Sequence, residues 1–220
     1  MKSMILVLLL NMLFVAAFTQ SLSPISGEEG LITIKNGFVV VRLHVNNGKK
    51  EYLEQQLSDK ELRPKDRVHL EKLYNDYTIS RENYIKKTMY AFKHWFDLCP
   101  VYFYYDFDQK KIVNGVLPKG IFLNENGFYD PNLLPVSDNY LVIARKESDQ
   151  SITASSGLKI LDPSGNVVPP PFPQPKTPSF ISIWFKSGNP KAKNDEDYDK
   201  ELETMITKWT TSIKTLNPSK

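Results

Sequence analysis

Val101-Tyr102-Phe103-Tyr104-Tyr105-Asp106-Phe107, entered through Cys99-Pro100, is an almost unbroken aromatic and β-branched run. Such runs are typical of a strand covered on both faces. Phe38 to Val45 (FVVVRLHV) is a second β-rich stretch, and helical periodicity fills the space between the two. A helical crossover makes the strands it joins parallel. The pair therefore predicts an α/β fold, a single mixed sheet of about five to seven strands with helices packed on it. A segregated α+β arrangement is the alternative.

Working outward, Ser80 can cap a helix over about Arg81 to Leu98. At about 100° per residue, Tyr84, Ile85, Met89, Ala91, Phe92, Trp95, Phe96 and Leu98 share one half of it, while Lys86, Lys87, Lys93, His94 and Asp97 share the other. Pro100 ends that helix. Before it, Leu70, Leu73, Tyr74 and Tyr77 follow helical spacing behind Pro64, which suits a first turn. Tyr52, Leu53 and Leu57 mark a shorter helix. Further upstream, LITIKNGFVVVRLHV (31–45) reads as a hairpin turning at Asn36-Gly37.

Downstream, Val116 to Leu123 reads as a weak strand interrupted by Pro118 and Gly120, and residues 124–139 as a loop. Tyr140 to Arg145 and Gly157 to Leu161 read as strands, and Asp162 to Asn166 as a turn. Residues 169–178 hold six prolines, which exclude a helix or central strand. Ser179 to Phe185 (SFISIWF) reads as the last strand. A closing helix over about Asp195 to Leu216 carries the stripe Tyr198, Leu202, Met205, Ile206, Trp209 and Ile213, with acids at its start that suit the helix dipole.

The 220 residues are 41% hydrophobic, 12% aromatic and 24% charged, with a net charge of +3. That composition excludes wholesale disorder and fibrous repeats. The charge gives no reason to expect a nucleic-acid partner. Residues 1–20 open with Lys2, continue through apolar Ile5 to Phe18, and end on small residues, as a secretory signal peptide does. The apolar stretch falls short of the roughly 20 residues of a membrane span, so no span is expected after signal removal; an uncleaved anchor is the alternative. The organisation expected is a signal peptide (1–20), a flexible leader (21–30) and one globular domain (31–216) with a proline-rich loop at 169–178. The single cysteine, Cys99, has no disulfide partner in its chain.

The junction FDLCPVYFYYDFD (96–108) resembles an uncharacterised family of small exported bacterial proteins, in which a charged helical segment leads into Cys-Pro-Val-Tyr-Phe. Gly120-Ile121-Phe122-Leu123-Asn124 matches that family's Gly-x-Phe-Leu-Asn element. Leu161-Asp162 with Val168 to Pro173 matches its Leu-Asp turn before a proline-rich stretch. The likeness spans about residues 38–185. It implies an exported bacterial protein, periplasmic, cell-surface or secreted. It supplies no activity and no functional residue.

Local motifs each have a plainer explanation. Ser156-Gly157-Leu158-Lys159, Ser137-Asp138-Asn139 and Lys186-Ser187-Gly188 imitate the signature of penicillin-binding serine enzymes. That chemistry needs the serine and lysine one helical turn apart, whereas Leu158 to Leu161 reads as a strand, which points them to opposite faces. Cys99 with His94 imitates a thiol–base pair, but their spacing on one helix separates the side chains by about 140°; burial of Cys99 is the expectation. His44, His69 and His94 lack zinc-ligand spacing. Asp106 to Lys111 begins like a calcium loop but carries lysines where oxygen and glycine are needed, so Asp106 and Asp108 are expected to face solvent at a strand end. The tyrosines of 101–107 are expected under helices rather than on a ligand platform. The proline tract is expected as a stiff surface connection rather than a polyproline ligand.

No catalytic, cofactor-binding or metal residue is assigned on these grounds, and no cofactor is expected. The expectation is a non-catalytic binding or structural module of the bacterial cell envelope, its partner an envelope protein or ligand. The alternative is an envelope hydrolase or thiol enzyme whose site gathers distant residues.

Overall fold

The structure, a computed structural model, describes residues 23–112, 115–145, 158–175 and 195–216. Among them lie helix α1 (Gly27–Asn36), strand β1 (Phe38–Leu43), helices α2 (Asn47–Ser58) and α3 (Pro64–Trp95), strand β2 (Val101–Tyr105), a 3-10 turn (Asp106–Lys111), strands β3 (Tyr140–Arg145) and β4 (Leu158–Leu161), and helix α4 (Asp195–Thr215). The sheet is single and mixed, in the order β2-β1-β3-β4. β1 runs parallel to both β2 and β3, with Val41 opposite Phe103 and Ile143, and β4 lies antiparallel to β3. The helical crossover between β1 and β2 does impose the expected parallel pairing.

Alternation along the strands sends two residue sets to two different covers. Val39, Val41, Leu43, Phe103, Leu141 and Ile143 pack under the helices, against Ile34 of α1, Met89 and Phe92 of α3, and Leu202, Ile206 and Trp209 of α4. Phe38, Val40, Tyr102, Tyr104, Tyr140 and Val142 face the opposite way. Their cover is irregular chain, including Ile121 and Phe122. Backbone hydrogen bonds hold that coat on, with Leu123 N donating to the Phe103 carbonyl at 3.0 Å. So do phenols: Tyr102 donates to the Leu134 carbonyl at 3.1 Å and Tyr140 to that of Gly115 at 2.5 Å.

Four strands are present among the described residues where five to seven were expected. Leu31 to Lys35 is not a hairpin arm but part of α1. Ser26 Oγ accepts from Glu29 N at 3.2 Å and the Glu29 carboxylate accepts from Ser26 N at 2.6 Å. This reciprocal cap starts a helix at Gly27, four residues before the apolar run that opens at Leu31. The inward residues, Gly27, Gly30 and Ile34, recur at helical rather than alternating spacing. Residues 27–30 are thus helical, not leader. A side chain at Gly30 would strike Phe172, so the glycine admits the proline segment against the core. Asn36-Gly37 ends the helix, with Gly37 N donating to the Thr33 carbonyl at 2.8 Å.

Val116 to Leu123 is not a strand either; it holds isolated bridge residues, Leu123 pairing with Tyr129. Pro118 lacks the donor and Gly120 turns at φ +77°. The expected strand 179–185 lies outside the described residues, as do residues 1–20.

α3 is one continuous helix of 32 residues. Ser80 does not cap a second helix: its Oγ donates to the Asp76 carbonyl at 2.7 Å, a bond available inside a helix. The helix stops at Trp95, three residues earlier than expected. Its apolar half buries Tyr84, Ile85, Met89, Ala91 and Phe92 as the periodicity predicts. No helix among the described residues is long and apolar enough to cross a membrane.

Candidate functional site

The chain after β2 is pinned by its own polar groups. Tyr105 donates to the Gly127 carbonyl at 2.6 Å. Tyr129 donates to Asp108 Oδ2 at 2.6 Å, and Lys111 Nζ pairs with Asp108 Oδ1 at 2.6 Å. Asp108 is fully buried and Asp106 mostly so, against the expectation that both face solvent. The tyrosine brought back by the loop and the lysine of the same 3-10 turn make burial of Asp108 tolerable. Burial, reinforced by the Asp108 contact, holds the Tyr129 phenol above its ordinary range.

The loop itself is a tight turn. Asn124 Oδ1 accepts from Asn126 N at 3.0 Å and Phe128 N at 3.1 Å. Gly127 adopts φ +79°, and a Cβ there would lie 3.2 Å from Ile85 and 3.3 Å from the Tyr105 hydroxyl. The turn is therefore fitted against both α3 and β2.

Between this turn and the middle of α3 a cleft of about 570 Å³ remains open. Its apolar and ring surfaces come from Tyr74, Ile85, Tyr105, Phe128 and Tyr129, and its charged residues are Lys50, Arg81, Lys86 and Glu82. Phe128 stands at 70% exposure. Lys50 has a carboxylate neighbour, Glu54, at 3.4 Å. Arg81 instead meets a ring, its Cζ 5.8 Å from the Tyr105 centroid.

Two buried polar atoms of the cleft residues have no hydrogen-bond partner, Arg81 Nε and, one turn earlier on α3, Thr78 Oγ1. A buried polar atom left unpaired costs about 1–3 kcal/mol. Unpartnered hydroxyls also occur at Thr88 and Thr210, but neither lines this cleft.

A second cluster sits where β1 and β2 end. His44 follows β1, Asp106 follows β2, and His44 Nδ1 lies 2.6 Å from Asp106 Oδ2. Burial pushes the Asp106 carboxyl up. The hydrogen bond and charge of His44, with the amides of Val45 and Phe107, outweigh it and hold the group below the usual carboxylate range. Tyr84 and Tyr77 on α3 brace the same segment. Tyr84 accepts from His44 N at 3.3 Å and Tyr77 donates to the Val45 carbonyl at 2.5 Å. Among the described residues, no thiol and no serine or threonine hydroxyl is hydrogen-bonded to His44.

The remaining sequence candidates stay apart. Cys99 is half-buried, packs against the core, and burial pushes its thiol up to about 12. His94 is exposed and stacked on Tyr90, ring centroids 3.9 Å apart, and His69 is exposed on α3. Among the described residues no group of three or more His, Cys, Asp or Glu side chains converges as a metal site would require. Ser137 Oγ caps its own turn before β3, and Lys159 lies on β4; Ser156 and Lys186 to Gly188 fall outside the described residues. Tyr102, Tyr104 and Tyr105 are buried, though the first two lie under irregular chain rather than helices. The proline segment buries Phe172 and receives Trp209 Nε1 at the Pro173 carbonyl, 2.8 Å.

Fold and cleft together define a small α/β domain with an open, ring-lined cationic cleft beside the carboxyl end of a parallel strand. Compared with family models, curated proteins and solved structures, the chain matches none.

Sequence reading missed Arg81 and Thr78 because neither belongs to a motif. Helical numbering from Tyr74 would have placed Tyr74, Thr78, Arg81 and Ile85 on one stripe, where an arginine among apolar positions is the available signal.

Proposed function

We propose that the protein is an exported, non-catalytic binding module of the bacterial cell envelope, and that the cleft between α3 and the 124–129 turn is its ligand seat. The observation that supports this most is the pair of unpartnered buried atoms, Arg81 Nε and Thr78 Oγ1, at one open cleft. A site built to hold a polar ligand keeps such groups free until the ligand satisfies them. The Cys-Pro junction and its resemblance support the bacterial setting, and the apolar opening of residues 1–20 supports export.

The test is retention from a small-molecule extract of bacterial envelopes, followed by mass measurement of what the protein returns. The reading predicts a stoichiometric ligand returned chemically unchanged, and its loss from Arg81→Gln. A ligand returned cleaved, or retention unaffected by Arg81→Gln, contradicts it.

The hydrolase reading has one observation of its own, the His44–Asp106 pair assembled from two strand ends, which is the arrangement of a general base held by a carboxylate. A cleaved return that persists in Arg81→Gln and disappears in His44→Gln would favour it. The thiol version has weaker support, because a thiol raised to about 12 holds little thiolate at neutral pH.

A further inference from the structure

The geometry points to an organic anion as the occupant of the α3 cleft: a carboxylate or phosphate oxygen at Arg81 Nε and the Thr78 hydroxyl, with a flat or ring-bearing body against Phe128 and Tyr129, both exposed. This rests on the reading of that cleft as the ligand seat and adds the chemical class of the ligand.

Charge comes first. Three cationic residues and one acid line the cleft. Lys50 is offset by Glu54, whereas the Arg81 guanidinium faces a tyrosine ring. A guanidinium lying over a ring keeps its N–H edge free to donate in its own plane, and carboxylate or phosphate oxygens match that edge. Thr78 lies three residues before Arg81, which puts both side chains on one face of α3. Its hydroxyl can donate to the same oxyanion or accept from the ligand. A neutral ligand could satisfy the hydroxyl but would leave the positive charge without a counter-charge in a half-buried site.

Shape comes second. Inorganic phosphate alone would leave most of the 570 Å³ and the exposed Phe128 ring unused. Ring faces favour a ring partner, because stacked or edge-to-face aromatic pairs add to plain area burial. The 124–129 turn, fixed by Gly127 and Asn124, presents Phe128 and Tyr129 on the wall opposite Arg81. The cleft thus has a cationic side and a ring side, and an amphipathic anion satisfies both.

The test is calorimetric titration of the whole protein with five probes: benzoate, phenyl phosphate, the neutral benzamide, the cationic benzylamine and inorganic phosphate. Saturable binding of benzoate or phenyl phosphate is expected, with benzamide, benzylamine and inorganic phosphate each at least tenfold weaker. Arg81→Gln should weaken the anions at least tenfold and leave benzamide unchanged. Thr78→Val, which keeps the shape of the side chain, should weaken them severalfold and stands as the second variant should Arg81→Gln fail to fold. Benzamide or benzylamine binding as tightly as benzoate overturns the anion assignment and leaves the cleft as a ligand seat. Inorganic phosphate binding as tightly as phenyl phosphate overturns the ring-bearing body. No saturation by any probe in the millimolar range overturns both the assignment and the seat.

Discussion

Asp106 shows how one carboxylate stitches two strand ends together. It accepts from Val45 N at 3.3 Å and contacts His44, so it ties the exit of β1 to that of β2. Its proton affinity is lowered on folding. Its contribution is therefore complete above the unfolded value of about 4 and is lost as pH falls through the lower folded value. Asp106→Asn should destabilise the protein at pH 7 by about 1 kcal/mol after solvent screening, and the gap from wild type should close in the acid range. Thermal unfolding from pH 7 down to pH 3 measures this; a gap that widens on acidification contradicts it. Gly127 makes a second residue-scale case. Alanine at φ +79° is strained and crowds Ile85 and Tyr105, at a cost of about 1–3 kcal/mol. A melting temperature unchanged in Gly127→Ala would show that the turn relaxes freely and does not fix the cleft wall.

Among elements, α1 separates local preference from context most clearly. Ile32, Thr33 and Ile34 prefer strands, and Asn36-Gly37 is a hairpin turn in isolation. The Ser26–Glu29 cap and the proline segment packed on Gly27 and Gly30 decide otherwise. The cap was legible as S-x-x-E before an apolar run; the proline contact was not, because it joins residues far apart in the chain. Ser26→Ala should cost about 1 kcal/mol and speed amide exchange across the first turns of α1 while leaving β1 protected. Equal acceleration in both would mean that α1 and the sheet open as one unit. The continuity of α3 was hidden by Ser80, a good cap residue used instead to bond backward along the helix. β1, β2, β3 and β4, by contrast, were legible from composition, because each is covered and its residues are almost all apolar or aromatic.

At the scale of the molecule, one face of the sheet is covered by helices and the other by chain without regular structure. That second cover was partly legible, in the Asn-, Pro- and Gly-rich stretch after β2, but its hydrogen bonds to tyrosines were not. Cys99 reports on the intactness of the whole. It packs between the end of α3 and the start of β2 with its thiol raised to about 12, so labelling at pH 8 should run at least about a hundredfold slower in the folded protein than in denaturant. Rapid labelling of the folded chain would mean the helix-to-strand corner opens without global unfolding. Of the candidate site, Tyr105 and the Asn- and Gly-rich turn stood out in the sequence, whereas Arg81 and Thr78 acquire meaning only once α3 lies beside that turn.

The most direct measurement is the side-chain 15N–1H resonance of Arg81 Nε during titration with phenyl phosphate. An unpartnered Nε–H that gains an oxyanion should shift downfield in saturable fashion and exchange more slowly with water, with the rings of Phe128 and Tyr129 shifting in parallel. A resonance that stays in place while phenyl phosphate binds elsewhere would contradict the assignment of this cleft as the ligand seat.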